Sequence, residues 1–170
     1  MMKYVVAGLL AAVLTGGAVA QDAPKPGPEH DHLKKLAGTW DTVMTVAGAE
    51  SKGTATYKLE VGGMWLVSTF EGEMFGQKFS GKGLDSYDAN KKKFVSVWVD
   101  NMSGSPTVME GTFDKETKAL RMTGEGAGMD GKPTKYRSVT TMPDADTIAF
   151  TMSMGDAKEP GFTIKYTRKK

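Results

Sequence analysis

From Trp40 to the C-terminus the chain repeats one pattern: short runs in which residues alternate between two faces, punctuated by Gly, Pro, Asn and Asp. A period of two is the signature of a β-strand, because successive side chains point to opposite sides. In 40–46, Trp40, Thr42, Met44 and Val46 alternate with Asp41, Val43 and Thr45; in 54–61, Ala55, Tyr57, Leu59 and Val61 share a face. Further runs fall at 64–71, 78–87, 94–100, 107–113, 119–124, 134–142, 147–154 and 162–168. Gly62 and Gly63 suit a tight turn with positive φ at both centres, and Asp88, Asn90, Asp114, Pro143 and Asp146 mark others. About ten short strands at this spacing predict an all-β, antiparallel meander. Closure into a single barrel removes the edges that an open sheet would expose; a two-sheet sandwich is the alternative.

Ahead of the strands, Leu33, Leu36 and Ala37 recur at helical spacing over 29–36, and Gly38 is suited to end that short N-terminal helix. Residues 1–20 carry a lone cation, an apolar run and small residues at Ala18 and Ala20. This reads as a secretory signal peptide cut after Ala20, so the expected location is periplasmic or secreted. The run is too short for a membrane span, which needs roughly 20 apolar residues. Residues 21–29 hold Pro24, Pro26 and Pro28 and read as an extended linker, leaving 30–170 as the barrel domain.

Removing the leader leaves about 150 residues, enough to bury some two-thirds of the unfolded surface. The sequence has no cysteine, which excludes disulfides, thiolate metal sites and Cys nucleophiles. The full chain has a net charge of +2, which falls to +1 without Lys3. With Lys91, Lys92 and Lys93 at a turn and Arg168, Lys169 and Lys170 at the tail, no basic face suited to nucleic acid emerges. Polar residues on one face of many strands (Lys78 and Lys82; Arg121 and Thr123; Lys135 and Arg137; Lys165 and Thr167) break the lipid-facing band that an outer-membrane barrel needs. A soluble barrel is expected, not one embedded in a membrane.

Chemical motifs are few. Gly126, Gly128 and Gly131 satisfy a G-x-G-x-x-G spacing, but a strand follows where phosphate binding requires a helix N-terminus, so a hairpin loop is expected. His30 and His32, the only histidines, lack the further ligands of a metal site. No strand histidine exists to ligate haem, and no G-x-S-x-G elbow supports a hydrolase. No metal or other cofactor is expected. The best candidate ligand-binding group is Asp85, Tyr87, Trp98 and Asp100, on two consecutive strands: a polar cluster with an indole wall. Against it stands the ordinary reading, in which Asp88 and Asp100 cap turns and Trp98 fills core. Strand methionines such as Met44, Met109, Met122, Met152 and Met154 suit either core or an adaptable apolar pocket.

Gly38, Thr39 and Trp40, opening the first strand after a short helix, resemble the G-x-W start of lipocalins and their calycin relatives. That resemblance implies a Trp40 packed across the barrel floor, Leu36 over the barrel end and a late basic residue, here Arg168, over the indole. More of the chain resembles the DUF1579 family. The segments that carry this are 26–30 (PGPEH), 36–40 (LAGTW), 62–66 (GGMWL), 70–73 (FEGE), 83–88 (GLDSYD), 98–100 (WVD), 110–114 (EGTFD) and 166–169 (YTRK). The resemblance implies no activity. The barrel pattern itself favours an exported binding module for a small apolar or amphipathic ligand over a catalyst. A filled barrel used for protein–protein interaction and an enzyme using carboxylates at the mouth are the alternatives, and nothing in the sequence specifies an oligomeric state.

Overall fold

The structure, a computed structural model, describes residues 25–128 and 130–170. The expected signal peptide and linker residues 21–24 lie outside the described residues. One helix, α1 (His30–Leu36), precedes ten strands: β1 (Gly38–Val46), β2 (Ala49–Glu60), β3 (Trp65–Met74), β4 (Gln77–Asp88), β5 (Lys93–Asp100), β6 (Thr107–Asp114), β7 (Ala119–Ala127), β8 (Pro133–Asp144), β9 (Thr147–Met154) and β10 (Phe162–Arg168). Each pairs antiparallel with its chain neighbours, and β10 returns to β1 from Trp40↔Arg168 to Val46↔Phe162. The sheet is a closed meander barrel, as the alternation predicts, and not a sandwich.

Strand ends depart from the sequence reading where inward positions lack apolar side chains. β2 begins at Ala49 rather than 54, because Ser51 and Gly53 face inward and leave no hydrophobic period to read. β7 continues past Gly124 to Ala127 for the same reason, with Gly124 and Gly126 on the inner face. Between β2 and β3, positive φ extends over three residues, Val61, Gly62 and Gly63, in a short 3-10 turn. The expected glycine loop is a strand–loop–strand hairpin joining Ala127 to Pro133, closed by Gly128 N–H donating to Lys132 O at 2.7 Å.

The helix seals one end. Leu33 and Leu36 are buried there with Trp40, which has no exposed surface. Alternation along β1 turns Trp40, Thr42 and Met44 inward, and all three are buried while Asp41 is exposed. The core continues through Ala55, Leu66, Phe70, Phe94, Met109, Met122, Ile148, Ile164 and Tyr166. Outside, Lys78, Lys82, Arg121, Lys135, Arg137 and Lys165 are exposed. An apolar row interrupts this polar surface, with Val67 paired to Leu84, Leu84 to Val97 and Val97 to Val108 across β3–β6. No described helix is long and apolar enough to cross a membrane.

Candidate functional site

The barrel has a closed floor, a polar layer above it and a split mouth. At the floor, the Trp40 indole N–H donates to Leu36 O at 2.9 Å, and the Arg168 guanidinium lies 4.0 Å from the centre of the indole ring. Arg168 also donates to Ala37 O at 2.9 Å, Lys35 O at 3.0 Å and Ala145 O at 3.0 Å. The carbonyls of Lys35 and Ala37 lie at the end of α1, where intrahelical donors run out. One cation thus covers the indole and caps the helix. Gly38 makes room for it: its φ is +134° and a Cβ there would lie 2.6 Å from Arg168 Nη1.

His30 and His32 belong to this floor. His30 Nδ1 accepts from Gly27 N at 3.1 Å and its ring faces Tyr87 edge-on at 6.4 Å. His32 packs on Phe113 at 4.5 Å, and burial, then Lys35, holds its pKa below the usual histidine value. Among the described residues, no three His, Asp or Glu side chains converge as metal ligands would.

Above the floor the inward positions become polar. Asp85 on β4 pairs directly with Ser96 on β5. Burial pushes the Asp85 carboxyl up to about 6, against a hydrogen bond from Ser96 that pulls it down. Burial also raises the phenols of Tyr57, well above the ordinary value, and of Tyr166, to about 12. The Tyr57 and Tyr166 rings lie 6.3 Å apart, and the Asp85 charge raises both phenols further. Thr42, paired with Tyr166 across β1–β10, is only 2 % exposed, and its hydroxyl has no partner among the described residues. Buried polar atoms are normally bonded; His30 Nε2 and His32 Nε2 at the floor share this unpartnered state with Thr42 Oγ1. Tyr57 and Asp85 lie deep among the strands yet keep accessible surface.

The four residues singled out from the sequence all face inward but separate along the strands. Tyr87 joins the floor, packing on Phe94 at 5.2 Å and on His30. Asp85 lies in the polar layer. Trp98 and Asp100 are nearer the mouth, where the Trp98 indole donates to Asp100 Oδ2 at 2.9 Å. Asp100 Oδ1 accepts from Met102 N at 2.9 Å, so Asp100 caps its turn as well as fixing the indole. The Trp98 ring lies against Gly81 and Gly83, at whose positions a Cβ would come within 2.2 and 3.3 Å of it. The missing side chains on β4 are what admit the indole. It stacks on Phe79 (6.5 Å, 24° between planes), which meets Phe70 at 5.6 Å.

The mouth opens where two hairpins part. The β2–β3 ladder stops at Gly53↔Gly72, so 49–52 and 73–74 pair only with their hairpin partners. A cleft of about 1000 Å³ fills the gap, with Val46, Ser51, Met74 and Phe79 among its lining. Neighbouring seams are closed differently. Beside β4–β5, Asn101 bonds Ser80 N and Lys78 O; beside β8–β9, Gly155 N donates to Lys135 O and Arg137 bonds Gly155 O and Ala157 O.

Sequence reasoning missed Tyr57, Tyr166, Ser96 and Thr42. Alternation gave their facing. Their height in the barrel depends on the stagger between strands, which no single strand reveals.

A closed ten-stranded barrel with a helical plug at one end and a split mouth at the other defines the class of protein. The profile of the family described as "protein of unknown function (DUF1579)" matches residues 25–168, and the chain belongs to that family. A search of curated proteins finds no match. Among solved structures, the chain is similar to a redesigned β-barrel (17% identity, 81% of this chain and 95% of that one, TM-score 0.47). It is also similar to a de novo designed fluorescence-activating β-barrel (13% identity, 82% and 98%, TM-score 0.46).

Proposed function

We propose that the protein is a binding module whose barrel interior holds one small amphipathic molecule, admitted at the mouth between the β1–β2 and β3–β4 hairpins. The apolar body of the ligand rests on Phe70, Phe79 and Trp98, and its polar end reaches Asp85, Tyr57 and Tyr166. The observation that carries this reading is the cleft of about 1000 Å³ between the two hairpins, with Phe79 in its lining, together with the buried polar group of Asp85, Tyr57 and Tyr166 on the inner face. A core built for stability alone gains nothing from a lone buried carboxyl, which costs free energy unless it is paired. Apolar walls with a few convergent polar groups are the usual composition of small-molecule sites. The leader-like residues 1–20 add the proposal that the module works outside the cytoplasm, after cleavage at Ala20.

Titration with a neutral naphthylamine dye tests the interior. Saturable one-to-one binding, with energy transfer from tryptophan to the dye, is expected. A linear, unsaturable rise in dye emission would exclude an interior site.

A further inference from the structure

The charges facing the barrel interior are strongly biased. Strand alternation and burial put Asp85 and Asp100 on the inner face, and no lysine occupies an inward position on any described strand. The inward arginine, Arg168, is held at the floor by three carbonyls and the Trp40 ring. Asp100 is likewise engaged, by the Trp98 indole and Met102 N. That leaves Asp85 as the interior charge without a counter-charge, flanked by Tyr57, Tyr166 and Ser96.

Isolated buried carboxylates are costly unless paired. A cationic ligand supplies the missing charge, and the negative faces of aromatic rings attract it further. A second, separate feature points to a ligand in the same interior: the buried Thr42 hydroxyl, which has no partner among the described residues. Thr42 lies on the inner face of β1, next to Tyr166 in register. A protonated amine has several N–H donors and can bond both a carboxylate and a hydroxyl acceptor.

Resting on the interior-site reading above, we infer that the ligand is a lipophilic amine, bound as its cation with the ammonium group on Asp85 between Tyr57 and Tyr166 and the apolar body toward Trp98. An anionic amphiphile, such as a fatty acid, is disfavoured by the same arrangement. It would bring a second negative charge beside Asp85 with no free interior cation to receive it.

Three matched dyes separate the possibilities: a naphthalene fluorophore carrying a primary alkylamine, its neutral N-acetyl derivative, and an anionic naphthalene sulfonate. At pH 7.5 the amine is expected to bind at least tenfold more tightly than the neutral dye, and the sulfonate weakest. In Asp85→Asn the amine should lose its preference over the neutral dye, a drop of at least tenfold in their affinity ratio, while an unchanged far-ultraviolet dichroism spectrum shows that the variant is folded. Amine affinity should fall as pH drops below about 6, where the Asp85 carboxyl protonates, while Tyr57, Tyr166 and the amine keep their protonation states. Equal affinities, a preference for the sulfonate, or amine binding unchanged in Asp85→Asn would overturn the ligand class and leave the interior site standing. Failure of all three dyes to bind would overturn both.

Discussion

Replacing Arg168 with methionine tests the floor in the most quantifiable way. Methionine retains an apolar stem over Trp40 and removes the charge and all five donors. The guanidinium makes three hydrogen bonds to carbonyls at 2.9–3.0 Å, each worth about 1 kcal/mol net. Its stacking on Trp40 at 4.0 Å contributes about 0.5–1 kcal/mol at a partly exposed site. The ion pair with Asp146 adds little, because the Asp146 side chain is 63% exposed and water screens such pairs. The expected loss is about 3.5–4 kcal/mol, or a fall in Tm of about 7–16 °C for a domain of this size. Urea unfolding followed by tryptophan fluorescence should show a lower midpoint with an unchanged m-value. Hydrogen exchange should accelerate in α1, whose terminal carbonyls lose their cap. Arg168→Lys should recover only a minor part, since an ammonium cannot reach three carbonyls and stack as a plane. A loss below about 0.5 kcal/mol, measured against that net hydrogen-bond value, would refute the clamp.

Gly38→Ala is expected to cost about 1–3 kcal/mol through its positive φ and the 2.6 Å approach to Arg168 Nη1, and to be non-additive with Arg168→Met in a double-mutant cycle. Gly81→Ala, which sets a Cβ 2.2 Å from the Trp98 ring, should displace the indole and reduce the near-ultraviolet dichroism while far-ultraviolet dichroism persists. Asp85 has its pKa raised from 3.8 to about 6 in the fold, so the folded state holds the proton more tightly and stability falls as pH rises from about 4 to about 6. The penalty above that window is at most roughly 3 kcal/mol, because each tenfold difference in proton affinity between the folded and unfolded states is worth about 1.4 kcal/mol. Asp85→Asn should therefore raise Tm at pH 7.5 and leave it nearly unchanged at pH 4; a variant less stable than the parent at pH 7.5 would contradict the assignment.

The architecture was legible because strand period and turn chemistry are local. Each run from Trp40 onward announced a strand; inward glycines and Ser51 hid the ends of β2 and β7, and Pro143, read as a turn, lies inside β8. The floor was legible in part, since Gly38 and Trp40 adjoin in sequence and Arg168 closes the last strand. The interior was less so. Asp85 and Tyr87 share a face, and so do Trp98 and Asp100, but adjacent strands pair Asp85 with Ser96, and Gly83 with Trp98. The four therefore spread from floor to mouth instead of forming one cluster. Tyr57 and Tyr166 sit beside Asp85 from strands distant in sequence, and register around the closed sheet brings them there. The mouth depends on where the β2–β3 ladder stops, which is a property of two hairpins together and of neither sequence alone.

Asp85→Asn also separates stability from function. A carboxyl that weakens the fold at neutral pH fits a site retained for binding, since functional groups commonly cost stability. The Arg168 clamp lies on the other side of that division: it should matter to folding and leave dye selectivity unchanged.

The central claim is that the barrel interior holds a small molecule. Native mass spectrometry of the protein purified from its own host, without detergent or denaturant, tests it most directly. The expected result is a single added mass, bound one to one, released on collisional activation as a cation and diminished in Asp85→Asn. A protein that flies only at its bare polypeptide mass, and that takes up none of the three naphthalene dyes, would contradict the account.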